Sequence, residues 1–151
     1  MAHVRTQIRA RVRAAVTGLT TTGANVFVLR DGPYDADRLP NISVHPADAA
    51  EYLDGEQGHT YDGIEIRVCS VDTVVRMQGE SDELDDDLDA ASVEVEEAIK
   101  GDATLAAMTT GITLESTEHE YDDDSEKPVG MIRLTWAIRY AVAASDPETL
   151  L

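Results

Sequence analysis

The feature that most restricts this chain lies near its end. From Met131 to Val142, six residues fall at every second position: Ile132, Leu134, Trp136, Ile138, Tyr140 and Val142. Strand side chains alternate between faces, so these six share one face, and that face is too apolar to leave in water. A helix would scatter the same six around its circumference. The chain must therefore build a sheet with one covered face, and the rest of the sequence has to supply the cover.

Two segments have the periodicity for that task. Val4, Ile8, Val12, Ala15, Val16 and Leu19 recur at three- and four-residue intervals, which predicts an amphipathic helix from about Val4 to Leu19. Thr17-Gly18 and the TTTG run at 20–23 end it. Leu84, Leu88, Ala91, Val95 and Ala98/Ile99 stripe a second helix over 81–100. Ser81 is its expected N-cap, and Asp82, Glu83 and Asp85 fall in the first turn, where the helix dipole favours negative charge. Gly101 is a natural stop.

Four further segments read as strands: 25–30 (NVFVLR), 39–44 with Pro40 at its start, 61–77, and 112 to about 119. In the third, Ile64, Ile66 and Val68 alternate, and the apolar parity then changes to Val71 and Val75. That change predicts a bulge or bend near Ser70. Residues 46–62 are small, acidic and glycine-bearing, so a long flexible loop is expected at about 47–61. Residues 104–108 read as a short apolar turn, 121–128 as a hairpin tip, and the chain from about 145 as a polar tail. Strands come in neighbouring groups rather than alternating with helices. The expectation is α+β: a single domain over 1–151, with one mostly antiparallel sheet and two main helices packed on it.

Charge narrows the function. Thirty Asp and Glu against twelve Lys and Arg give a formal −18. Such a surface is unsuited to gripping nucleic acid or docking on anionic lipid. No apolar run approaches the roughly 20 residues of a membrane helix, so neither a secretory signal nor a transmembrane anchor is expected. The single cysteine, Cys69, lies in an apolar strand-like run and reads as a buried small hydrophobe. His3, His45, His59 and His119 show no metal-ligand spacing. The acidic run Asp85-Asp86-Asp87 with Asp89 is threaded by helix-spaced leucines, unlike a calcium loop. No nucleophile elbow, phosphate loop or zincin helix is present in the sequence, and the reading is non-enzymatic, with no catalytic, metal or cofactor site.

One charged pattern stands out from that background. Arg5, Arg9 and Arg13 repeat at four-residue intervals and form a basic ridge beside the apolar stripe of the first helix. Such a ridge on a strongly acidic chain reads either as a solvated helix face or as a ridge that faces a partner.

In sequence order, several pieces resemble the tail terminator proteins of long-tailed phages, the lambda-type minor tail proteins. Gln7-Ile8-Arg9-Ala10 through Ala15-Val16 is similar to that family's first helix. Leu39-Pro40 with Ile42-Ser43-Val44 is similar to its LP-x-I-x-V strand, and Ile64-Glu65-Ile66 to the strand after its variable loop. Leu84-Asp85 and Leu88-Asp89 resemble the pair opening its second helix, and Leu134 to Tyr140 its closing strand. The resemblance implies a structural virion protein, located at the head–tail junction and assembled in the host cytoplasm. It implies a ring, hexameric in this family, that caps the tail tube, stops tube polymerisation and offers a joining surface to a head-completion or connector protein. Between subunits of such a ring, Arg5, Arg9 and Arg13 would meet acidic residues of the adjacent copy, with Asp85, Asp86 and Asp89 the candidates. DNA would pass through without specific binding, and Asp122, Asp123 and Asp124 at the hairpin tip are candidates for lining the channel or facing the tube. Another neck or head–tail connector component is the alternative. An acidic DNA mimic is a weaker one, because the charges divide between a helix start, a loop and a hairpin tip. Ten arginines to two lysines, with acids in large excess, also resembles proteins of salt-accumulating archaea and implies a tailed virus of a halophilic host.

Overall fold

A computed structural model describes residues 1–28, 36–53, 63–80, 82–122 and 127–151. The elements are α1 (Val4–Ala15), β1 (Val26–Phe27), β2 (Asn41–Leu53), β3 (Ile64–Gln78), α2 (Leu84–Lys100), α3 (Ala103–Met108), β4 (Gly111–Asp122), β5 (Val129–Ala143) and β6 (Asp146–Leu150). They form the expected α+β arrangement. One sheet runs β1-β2-β3-β5-β4, with β6 added to the end of β5. Every pairing is antiparallel except β1 with β2.

The alternating strand is β5, an interior strand between β3 and β4. Its six apolar residues are all buried on one face, in one core with the buried residues of α1 and α2; α2 lies on β5 and β3, and α1 on β2 and β6. Val71 and Val75 of β3 and Ile42 and Val44 of β2 complete that face. The Trp136 indole donates to Thr73 Oγ1 across the strands (3.1 Å), so the largest core side chain buries its one polar atom with a partner. Helix α2 packs closely on the sheet at Gly130. A Cβ placed there would lie 2.9 Å from both Leu84 Cδ2 and Leu88 Cδ1.

Several expectations are corrected. The parity change in β3 is no bulge: β3 pairs with β5 without interruption from Ile64 to Gln78. Residues 68–77 are buried on both faces, so apolar side chains fit either way and parity carries no register. The irregularity at Ser70 is carried by its neighbour β2, whose register shifts between Pro46 (opposite Val71) and Glu51 (opposite Cys69); a second lies in β4, between Leu114 and Ser116. Strand β2 continues to Leu53, so residues 47–53 are strand rather than loop; residues 54–62 lie outside the described residues. Main-chain pairing of Glu51, Tyr52 and Leu53 with β3 holds the end of this stretch without needing apolar side chains. The polar tail is β6, whose Leu150 packs against the core, and the short apolar turn is α3, capped by the Asp102 carboxylate on the Leu105 N–H (2.7 Å). Helix α1 ends at Ala15 rather than Leu19. The expected N-cap Ser81 lies outside the described residues.

Candidate interaction surfaces

The two main helices carry opposite charge. Helix α1 has four arginines and no acid; α2 has seven acids and one lysine. Both lie on the same face of the sheet, and their charged flanks look in opposite directions. The Arg5 side of α1 faces β2, since Arg5 Nη1 donates to Glu51 Oε2 (3.1 Å). The Asp85 side of α2 faces β4 at the other edge. There Tyr121 donates its hydroxyl hydrogen bond to Asp85, and His119 Nε2 lies 3.1 Å from Asp89 Oδ1. The His119 and Tyr121 rings stack, and the Asp85 carboxylate pushes the Tyr121 phenol up to about 12.

The structure divides the predicted basic ridge. Arg5 is bound within its own subunit by Glu51, which also takes Arg67 Nη1 at 2.9 Å, while Arg67 Nη2 holds Glu65 at 2.6 Å. His3 adds its ring to this cluster and caps α1, accepting from the Arg5 N–H (3.2 Å). Burial pushes the Glu51 carboxyl up, but Arg5, Tyr140 and Arg67 gather around it and bring it below the ordinary glutamate range. Burial together with Arg5 and Arg67 lowers His3, so its capping nitrogen stays free to accept. Arg9 and Arg13 differ from Arg5. Among the described residues, Arg9 reaches Thr6 Oγ1 (3.5 Å) and the Cys69 thiol, and Arg13 Nε is buried without a hydrogen-bond partner. Among the described residues, no carboxylate pairs with either.

Arg11, which the sequence did not single out, leaves the other side of α1. Its Nε and Nη2 grip both oxygens of Asp102, at 3.0 and 2.5 Å, and so tie α1 to α3. The guanidinium beside Asp102 holds that carboxyl below the usual aspartate range. Spacing could not find Arg11, Glu51 or Asp102, because an ion pair between distant segments leaves no period in the sequence.

The remaining predicted residues are more scattered. Asp86 is exposed on the outer face of α2. Asp122 ends β4, exposed; Asp123 and Asp124 lie outside the described residues. Cys69 is buried, as expected, and burial pushes its thiol up to about 11. The sheet face away from the helices carries a buried polar row. Arg76 donates to Ser43 Oγ (2.6 Å), and Thr135 donates to Asp72 Oδ1 (2.6 Å). Farther along that face is a groove of about 200 Å³ lined by Tyr52, Val68, Thr113, Glu115 and Arg139. Among the described residues, no group of three His, Cys, Asp or Glu could hold a metal ion, and no helix is long and apolar enough to cross a membrane.

A small α+β subunit whose two main helices present opposite charge on opposite flanks has the character of an assembly component. The family comparison agrees. The family model described as phage minor tail protein U matches residues 3–140, and the chain belongs to that family. It is accordingly a structural protein of the virion tail. No curated protein matches the chain significantly.

Proposed function

We propose that this chain is a tail terminator: a ring of identical subunits that caps the tail tube, stops its polymerisation and presents a joining surface to the head-completion or connector protein. The observation that carries this reading is the pair of opposed flanks on one subunit. A closed ring needs a heterologous interface, in which one patch meets a different patch on the next copy. The basic side of α1 and the acidic side of α2 supply such a pair, and family membership supplies the setting. The ring is proposed as a hexamer at the head–tail junction, assembled in the host cytoplasm, with Arg5, Arg9 and Arg13 on the basic side and Asp85, Asp86 and Asp89 on the acidic side.

Each of six subunits would bring a formal −18, and repulsion from acidic groups such as Asp122 in the lumen would let DNA pass without sticking. The same charge supports a halophilic host. At about 1 M salt the Debye length is roughly 3 Å, against about 10 Å at 0.1 M, so like-charged subunits can pack without long-range repulsion.

Mass measurement in solution over a wide protein range, with electron microscopy of the same sample, tests the ring. An annulus is expected, and its addition to growing tail-tube subunits should halt elongation. Tubes that lengthen unchanged in its presence would overturn the capping role. A ring equally stable at 0.1 and 1 M salt would remove the halophilic host while leaving the terminator.

A further inference from the structure

Arg9 and Arg13 are anomalous in a chain where acids outnumber bases thirty to twelve. Both are half-buried, four residues apart on one ridge, and neither has a carboxylate among the described residues, whereas Arg5 and Arg11 on the same helix each have one. A guanidinium carries five donors, and partial burial removes water that would otherwise satisfy them. Among the described residues, the buried Arg13 Nε has no hydrogen-bond partner. Two adjacent arginines in this condition fit an acidic surface spaced one helical turn apart, about 6 Å.

The outer side of α2 has that spacing. Asp86 and Asp89 are exposed and lie one turn apart. Asp89 gives one oxygen to His119, and its side chain remains 65% exposed, so the other oxygen can accept a further bond. Asp85 is less suited, because Tyr121 already occupies it. One turn beyond Asp89 stands Val93, 52% exposed on a helix surface that, Ala90 apart, is charged. Beside Arg9 and Arg13 on α1 lie Ala10 and Ala14, also exposed and small enough for a valine to settle between them.

We propose that Arg9 and Arg13 of one copy pair with Asp86 and Asp89 of a second copy in a helix-on-helix seam, with Val93 packed on Ala10 and Ala14. This rests on the ring reading and sharpens it. Arg5 and Arg11 hold α1 to its own subunit, and the two arginines left over recognise the neighbour. The two halves of the seam are different patches, α1 of one copy on α2 of the next, so in a head-to-tail ring each subunit uses both.

The test is a charge exchange between two variants of the full chain. R9D/R13D makes both flanks acidic, and D86R/D89R makes both basic. Each alone should associate at least about 30-fold more weakly than wild type, the effect of reversing desolvated pairs. Circular dichroism and thermal unfolding establish that both remain folded. Mixed in equal amounts they should regain wild-type assembly, since every seam in an alternating ring then joins opposite charges. V93D, by contrast, should weaken assembly without being rescued by either variant. If the wild type assembles and either charge variant assembles as well as it does, the seam is overturned and the ring stands. Folded single variants that fail to assemble and are not rescued on mixing also overturn the seam. A wild type that stays monomeric across the whole range overturns the ring reading and the seam with it.

Discussion

Helices α1 and α2 lie side by side on one sheet face, yet they are held there by different forces. Helix α2 buries Leu84, Leu88, Ala91, Val95 and Ile99 against β3 and β5, and most of its acids point outward, with Glu94 accepting from the Thr21 N–H (3.0 Å) and hydroxyl. Helix α1 buries only Val4, Ile8 and Val12 within its span, and it is tied down at both sides by Arg5–Glu51 and Arg11–Asp102. Apolar burial is indifferent to salt and to mild acid; ion pairs respond to both. The contrast shows that amphipathic helices of similar appearance can differ in how their attachment responds to the surroundings. It places the responsive helix on the flank that carries Arg9 and Arg13.

The sharpest test of the contrast is in α2. Leu88→Ala removes a fully buried side chain and should cost about 2–5 kcal/mol, the same at 0.1 and 1 M salt. Denaturant unfolding at both salt concentrations measures it, and a strongly salt-dependent loss would break the comparison. Gly130→Val tests the same contact from the sheet side. Its side chain would press on Leu84 and Leu88, so overpacking should cost about 1–3 kcal/mol, again independent of salt.

For α1 the expectation is different. Glu51→Gln should cost about 1–2 kcal/mol at low salt, and less at 1 M. Hydrogen exchange should localise the loss to the start of α1. Acid should do the same to the wild type. The folded Glu51 and Asp102 values lie below their unfolded ones, so their stabilisation is present above the ordinary carboxylate range and is lost as pH falls through the folded values. His3 is lowered too, so its contribution begins to fade at higher pH, as soon as the pH drops below the ordinary histidine value. Exchange at α1 should therefore quicken on acidification before exchange at α2; simultaneous loosening of both would contradict the assignment. The smallest effect belongs to His119→Ala, which removes a largely exposed contact to Asp89 and should change stability by less than about 1 kcal/mol.

How much of this was legible beforehand depends on the length scale of each signal. The alternation in β5 and the stripes of α1 and α2 are local periods, and each dictates which face of an element is buried whatever it packs against. The α+β class, the covered sheet face and the buried Cys69 follow from them. The charged ridge was legible as a pattern, because Arg5, Arg9 and Arg13 are equivalent along the helix. What separated Arg5 from the other two was Glu51, 46 residues away, in a stretch whose composition reads as loop. The same limit hid Arg11–Asp102, the main-chain pairing that makes strands of residues 47–53 and β6, and the bulges in β2 and β4. Periodicity reports the solvent and core sides of an element. Ion pairs and strand partners are set by which distant segments the finished sheet brings within about 3 Å of each other, and only the tertiary structure decides that.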